Sequence, residues 1–482
     1  MVVKIPSVLH IVGLFLLLLA ALLLVPAIYA LIASEAEWRP FLVSSLIVAV
    51  TGATLMMGFR LDRFRLFPRE AFAVTSLTWL SVGLFAALPM ILIEHISFTD
   101  AFFETMSGIT TTGSTVLTGL DKHPEAILLW RSLLQWVGGI GFIVMGIAIL
   151  PFLKIGGMHL FQSESSDWTG KVLPRFGGFA KSIGIIYLSL TAANALLYWV
   201  FGMSFFDAIN HAMTTVSTGG YSTHDSSIGY FHSNAIQWLG IIFMTLGSIP
   251  FALYVIALKG NTDTLFSDRQ VRGFIGVLLL SSIVLTAWLV LAQNKPVFEA
   301  FTLATFSVTS IVTTTGFASQ DYQQWGVFAA ILFFYLTFVG GCSGSTAGGI
   351  KIFRFQIAFT LLRDHLFRLV HPNSVIDQRY NNRAINIDIV RSILTFSFFF
   401  AATIGVLALL LSALGLDFQT SLTGAATAVG NVGPGLGPTI GPSGNFATLP
   451  DAAKWLLSIG MLLGRLEIMT VLVMLTPTFW RS

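Results

Sequence analysis

The chain has 482 residues, of which 55% are hydrophobic and only 10% charged. A soluble domain would leave much of that apolar surface in water, and several runs reach the roughly 18–20 residues that cross a bilayer, so the chain reads as an integral membrane protein without a large soluble domain. The single cysteine, Cys342, excludes an internal disulfide and a cysteine-based metal cluster, nine scattered histidines carry no metal-ligand spacing, and a net charge of +3 is no nucleic-acid footprint.

In chain order, full spans are expected at 7–33, 41–58, 71–93, 126–150, 181–201, 235–258, 273–293, 326–358, 389–414 and 452–475. The first follows Lys4 and ends in small residues, as a signal peptide does. It is longer than a signal core and a second span follows at once, so it reads as a retained helix. Four further apolar stretches, 100–110, 207–216, 299–312 and 417–429, are too short to cross. Each opens on an acid (Asp100, Asp207, Glu299, Asp417), which suits a helix's positive end. About 11 helical residues rise roughly 16 Å, half of the hydrocarbon core.

After each short stretch comes a variant of one motif: Thr110-Thr111-Thr112-Gly113, Val216-Ser217-Thr218-Gly219, Thr313-Thr314-Thr315-Gly316 and Gly430-Asn431-Val432-Gly433. Aligned on these glycines, the copies recur at 106, 97 and 117 residues, a spacing for supersecondary units of a membrane protein. A short helix whose partial negative end meets an extended Gly-containing segment offers backbone carbonyls to a cation. Glycine supplies the unusual dihedrals, and Thr or Ser adds hydroxyl oxygens without a trapping charge. No carboxylate lies within the four segments, which argues against a divalent-cation filter. The competing reading is that Thr/Gly stretches only allow close helix packing.

The expected fold is therefore an all-α polytopic membrane protein, with four pseudo-repeats of span, pore helix, filter and span around one pore. The divisions are 1–69 (two peripheral N-terminal spans), 70–160, 172–262, 270–370 and 384–482. With the N-terminus in the cytoplasm, twenty Lys/Arg fall inside and four (Arg39, Lys122, Lys295, Lys454) outside, and all four Thr/Gly segments face outward.

Inside the eighth span lies Gly340-Gly341-Cys342-Ser343-Gly344-Ser345-Thr346-Ala347-Gly348-Gly349, followed by Lys351. Ten small, helix-poor residues should break the helix, as a movable barrier below the third segment or as a static packing kink. A phosphate-binding loop does not fit the spacing. Arg465, in the last span, is costly at membrane depth. It is expected to pair with Glu467 or a filter-side carbonyl, to project into the pore, or to hold the bundle together in a buried ion pair. Arg131, nearer a span end, is expected to snorkel to the interface. An intramembrane enzyme would need clustered His, acid or Ser/Lys residues, and the polar residues converge instead as Thr, Gly and backbone.

The Thr-Thr-Thr-Gly at 110–113, Asn-His-Ala-Met-Thr-Thr-Val-Ser-Thr-Gly-Gly at 210–220, the Gly-Gly-Cys-Ser-Gly-Ser-Thr-Ala-Gly-Gly-Ile-Lys at 340–351 and Ala-Val-Gly-Asn-Val-Gly-Pro-Gly at 428–435 together resemble the Trk/Ktr/HKT superfamily, and within it the bacterial TrkH/TrkG-type membrane subunits. The resemblance covers essentially the whole chain. It implies potassium uptake across the bacterial cytoplasmic membrane, with K+ bound at the segments ending in Gly113, Gly219, Gly316 and Gly433, and no cofactor in this chain. It further implies that Gly341–Gly349 is an intramembrane gating loop, that Arg465 is the pore arginine beside it, and that a homodimer sits on a cytosolic TrkA-type ring binding ATP or NAD(H). Glycine rather than serine at 113 goes, in that superfamily, with potassium over sodium. The fourth segment departs from the pattern, since Asn431-Val432 replace Thr-Thr. The charged loop from Arg363 to Arg391 reads either as the docking surface for the regulatory partner or as an ordinary positive-inside loop. A passive gated pathway is favoured over a sodium- or proton-coupled symporter, because no intramembrane relay of Asp, Glu or His is evident.

Overall fold

A computed structural model of the chain describes residues 4–59, 68–148, 172–374, 377–381 and 383–480. Among the expected inward charges, Arg60, Arg63, Arg65, Lys154, Lys171 and Arg481 lie outside the described residues, as do 149–150 at the end of the fourth span.

The chain opens with α1 (Ile5–Ile32) and α2 (Trp38–Gly58). Next come α3 (Pro68–Glu94), the short α4 (Phe98–Ile109) and α5 (Glu125–Ala148). The order then recurs as α6 (Val172–Val200), the short α7 (Phe205–Val216), and the pair α8 (Asn234–Gly247) and α9 (Phe251–Leu258). After the small α10 (Asp263–Ser267) follow α11 (Arg269–Gln293), the short α12 (Val297–Val312) and α13 (Val327–Leu336). A loop leads from there into α14 (Ile352–Val370). The last set is α15 (Ile387–Ala413), the short α16 (Phe418–Gly430), α17 (Asp451–Arg465), α18 (Met469–Leu472) and α19 (Pro477–Trp480). Two two-residue ladders complete it: β1 (Val339–Gly340) with β2 (Ile350–Lys351), parallel, and β3 (Arg379–Tyr380) with β4 (Arg383–Ala384), antiparallel.

Among the described residues seven helices are long and apolar enough to span a membrane unbroken. Three expected spans depart from straight helices. The sixth bends by 87° between α8 and α9, where Ser248-Ile249-Pro250 interrupts the ladder and proline has no N–H to give. The tenth bends by 102° after Arg465, where Glu467 (φ 58°) and Ile468 (φ 21°) leave the helical region; a β-branched residue there is strained. The eighth stops after the ten residues of α13 and resumes only at Ile352.

The short helices form the centre. Ala101 to Ile109 of α4 and Thr302 to Val312 of α12 are buried throughout. Three of the four short helices start on a side-chain cap, and α12 follows Pro296 without one. Ser97 and Ser204 accept the backbone N–H of Asp100 and Asp207, three residues on, while Asp417 is itself the cap of α16 and accepts from Thr420. The acids expected to open the helices thus lie in the first turn of three of them and at the cap of the fourth. At the N-terminal end of the chain, α1 and α2 cross at Gly13 and Gly52. A Cβ on Gly13 would come within 2.7 Å of the Gly52 carbonyl, and one on Gly52 within 2.8 Å of the Gly13 carbonyl.

Candidate functional site

Each short helix ends in the same way. A residue in the left-handed region follows two residues past the helical end in three of them and one in the fourth: Thr111 (φ 53°), Thr218 (φ 52°), Thr314 (φ 58°) and Asn431 (φ 53°). Two residues later a glycine has φ between 79° and 105°, namely Gly113, Gly220, Gly316 and Gly433. Between them, Thr112, Gly219, Thr315 and Val432 donate their N–H groups back to Ser107, Thr214, Ser310 and Thr427 at 2.8–3.1 Å.

The second segment is thereby shifted by one residue from the sequence alignment. The geometric counterpart of Gly113 is Gly220 and not Gly219, and the equivalent four residues are Ser217–Gly220. Val216 is the last residue of α7. The tandem Gly219-Gly220 offered two choices, and the spacing alone did not distinguish them.

With that register the four segments close into a ring. A Cβ on Gly113 would lie 2.3 Å from the Gly219 carbonyl oxygen, and on Gly220 1.8 Å from that of Thr315. On Gly316 it would lie 2.2 Å from the Val432 oxygen, and on Gly433 2.8 Å from that of Thr112. Each glycine thus abuts the carbonyl just before the next segment's glycine, and no side chain larger than hydrogen fits at any of the four.

The threonine hydroxyls largely brace the segments. Thr110 pairs with Thr112 and Thr313 with Thr315, each at 2.8 Å. In the fourth segment Asn431 replaces this local pair, donating from Nδ2 to the Thr112 hydroxyl and to the Met461 carbonyl, both at 2.9 Å. Its departure from the Thr-rich pattern therefore bridges segment four to segment one.

The loop from Gly340 to Gly349 leaves and returns through the β1–β2 ladder and packs against three of the segments. Thr346 donates its hydroxyl to the carbonyls of Val216 (3.1 Å) and Gly247 (2.9 Å), and receives that of Thr218 at 3.2 Å. The Gly348 N–H donates to the Thr314 hydroxyl at 2.6 Å, and Gly349 donates to the Gly430 carbonyl at 2.9 Å. Cys342 N–H and Thr346 N–H donate to the Ser248 and Gly247 carbonyls, so the bend between α8 and α9 supplies acceptors to the loop. Cys342, Ser345, Thr346 and Ala347 are fully buried, Ser343 nearly so; Ser343 N–H is held by Gln270, and Gly344 accepts from Phe251. Gly340 passes Gly348 closely, where a Cβ would meet its carbonyl at 2.1 Å; Gly341 abuts Ala347 and Ser248.

Below the loop cluster three buried cations and one acid. Arg465, 1% exposed, donates from Nη1 to the Thr346 carbonyl at 3.0 Å and lies 4.1 Å over the Phe142 ring. It does not pair with Glu467, whose backbone turns away at the bend; Glu467 instead meets Arg354 at 2.5 Å. The Lys351 ammonium donates to the carbonyls of Ala347 and Gly348 and sits 5.0 Å from the Phe142 ring.

Arg131 does not snorkel. It is 1% exposed and bonded to Glu104 of α4 at 2.8 Å. Glu104, Gln135 and Tyr221 escaped the sequence reading, which also gave Arg131, Arg354 and Glu467 other partners or none. A lone glutamate inside the apolar stretch 98–109 was the available signal.

The chain matches the TrkH family, described as a cation transport protein, over residues 42–481. It is 52% identical to the Trk system potassium uptake protein TrkI of Halomonas elongata, over 97% of this chain and 95% of that one. It is 38% identical to the Trk system potassium uptake protein TrkH of Escherichia coli, over 98% and 99% of the two chains. The crystal structure of the potassium transporter TrkH from Vibrio parahaemolyticus superposes with a TM-score of 0.92 at 37% identity, covering 99% of this chain and all of that one. With its all-helical membrane fold, the chain belongs to the TrkH family of transporters, a family of membrane carriers and not of enzymes.

Proposed function

We propose that this chain is the membrane pathway for potassium uptake, with the four Thr/Gly segments as a selectivity filter and the loop 340–349 as its gate. The carrying observation is the closed ring of glycine-to-carbonyl contacts at Gly113, Gly220, Gly316 and Gly433. Stripping water from K+ is costly, and closely approaching backbone carbonyls with no fixed charge replace that water without trapping the ion. The four units of span, short helix, segment and span surround one pathway, in the divisions 70–160, 172–262, 270–370 and 384–482, with 1–69 beside them.

The loop seats against segments two, three and four, and Arg465, Lys351 and Arg354 against the single Glu467 leave an excess of positive charge beneath it. In this reading that charge opposes a cation until the loop moves. Flow is passive and gated. The chain lies in the cytoplasmic membrane with both termini inside, as a dimer, and a cytosolic TrkA-type partner docks on the loop from Arg363 to Arg391 and brings the nucleotide, ATP or NAD(H).

The test is potassium flux into proteoliposomes of the purified chain, under set potassium, sodium and proton gradients, with Gly113→Ser in parallel. Flux that follows the potassium gradient alone, and loses selectivity in the variant, supports the proposal. Uphill potassium movement driven by sodium or protons would make the chain a symporter. Unchanged selectivity in Gly113→Ser would remove the filter assignment.

A further inference from the structure

Glu104 sits at the middle of α4, with no exposure. One carboxylate oxygen accepts Arg131 Nε at 2.8 Å, and the other accepts the Val116 N–H at 2.8 Å; the Thr115 hydroxyl lies 3.0 Å from both. The rest of the Arg131 fork reaches the chain just after both segments. Nη1 donates to the Ser222 carbonyl at 3.0 Å, Nη2 to the Thr115 hydroxyl at 3.2 Å, and the guanidinium lies 4.1 Å over the Tyr221 ring.

Tyr221 returns the connection. Its hydroxyl lies 2.7 Å from the Glu104 carbonyl and 3.2 Å from that of Ser114, the residue after Gly113. One turn along α5 from Arg131, Gln135 donates to the Gly219 carbonyl at 2.6 Å and accepts the Tyr221 N–H at 3.0 Å. The Gly219 carbonyl is the one that faces Gly113 in the ring. A single charged frame therefore grips the chain on both sides of the contact between segments one and two.

Among the described residues, the other segments have no such charged fork. Counting seven residues back from Thr111, Thr218, Thr314 and Asn431 gives Glu104, His211, Ser307 and Gly424. His211 makes neutral hydrogen bonds to the Ser222 hydroxyl and the Asp207 carbonyl, each at 2.9 Å, both on its own side, and reaches the third segment only by the apolar approach of its ring to Phe317 at 6.0 Å. The third segment is tied by Ser310 to the Phe317 carbonyl at 2.7 Å, and the fourth by Leu436 N–H to the Thr423 hydroxyl at 3.0 Å. These are neutral hydrogen bonds, weaker than those of the charged three-way fork of Arg131.

We propose that Glu104 and Arg131 are specificity-determining positioning residues: through Tyr221 and Gln135 they fix the spacing of the ring between segments one and two, and with it the discrimination of potassium from sodium. This rests on the filter reading above. Neither residue meets the ion. Their influence passes through backbone held at a distance that a looser frame would let contract around the smaller cation.

The test is the potassium-to-sodium permeability ratio, measured in proteoliposomes of the full chain for Arg131→Lys, Tyr221→Phe and Glu104→Gln, beside Gly113→Ser. Arg131→Lys keeps the charge but not the three-way fork, and Tyr221→Phe removes one hydroxyl, so these two carry the test if Glu104→Gln does not fold. The expected result is a ratio reduced roughly tenfold in Arg131→Lys, the scale of one lost charge-assisted hydrogen bond, and a smaller reduction in Tyr221→Phe, with potassium flux retained in both. Folded variants that keep the parent ratio, or lose flux without changing it, while Gly113→Ser loses selectivity, overturn the proposal and leave the filter standing. If Gly113→Ser also keeps its ratio, the filter reading falls, and this one with it.

Discussion

Arg465 Nη1 donates to the carbonyl of Thr346 at 3.0 Å, tying the end of α17 to the middle of the buried loop. Thr346 in turn holds the carbonyls of Val216 and Gly247 through its hydroxyl. The arginine thus braces the loop in its seat against the second segment. Arg465→Ala is expected to raise unstimulated potassium flux about tenfold, the scale of a charge-assisted hydrogen bond, in proteoliposomes of the purified chain. Deleting Gly344–Gly348 should raise it further. No rise in either would favour a static kink, and loss of folded protein in Arg465→Ala would point to a structural arginine.

Arg354 and Glu467 are 2% and 7% exposed, and they meet across the bend of the last span. Removing one partner strands a charge, whereas replacing both need not. Glu467→Gln should lower stability by about 3 kcal/mol, and Arg354→Met combined with Glu467→Leu should recover most of it. A double-mutant cycle on the denaturation of the detergent-solubilised chain measures this. With Arg354→Met and Glu467→Leu as the single corners, a double-variant loss equal to the sum of the two single losses would show that the pair has no coupling.

The one-residue shift in the second segment has a direct assay. Gly220 has φ 79°, and a Cβ there meets the Thr315 carbonyl at 1.8 Å, which is backbone and cannot yield. A Cβ on Gly219 meets the end of the Gln135 side chain at 2.4 Å instead. Gly220→Ala should therefore cost far more selective flux than Gly219→Ala, at least tenfold, given the strain of a Cβ at positive φ added to the clash. The reverse order would restore the alignment on Gly219.

At the outer end of α7, His224 bonds Asp121, lies 3.4 Å from Asp207 and stacks 3.5 Å over Tyr230. Burial pulls the ring's pKa down, but the two carboxylates outweigh it and hold it above the ordinary histidine value. The charged ring therefore stabilises the fold fully below its unfolded value of about 6.5, and that contribution is lost as pH rises through the higher, folded value. Thermal unfolding of parent and His224→Gln should differ most at acid pH and converge as pH rises above neutral. A gap that widens with pH would contradict the pairing.

The half-length helices were legible because length and patterning both stop them at the midplane, and their observed ends fall within two or three residues of those expected. The register of the second segment was less so, because two adjacent glycines are chemically identical and only dihedrals separate them. Arg131 was misread for a different reason. Its position near a helix end suggested snorkelling, while its partner Glu104 lies 27 residues earlier on another helix, and only folding brings them together. The bend at Pro250 carried a proline as a signal. The one at Glu467–Ile468 carried neither glycine nor proline, and Glu467 there pairs with Arg354 of α14, more than a hundred residues away in sequence.

Because the ring is written into a single polypeptide, Gly113, Gly220, Gly316 and Gly433 each occur once. In a channel assembled from four identical subunits any change to such a glycine arrives in quadruplicate, so mild lesions are seen only at full dose. Here a substitution is delivered at quarter dose, and one, two, three or four corners can be altered in a defined order without mixing subunits. The inequality of the corners then becomes measurable as a ranking.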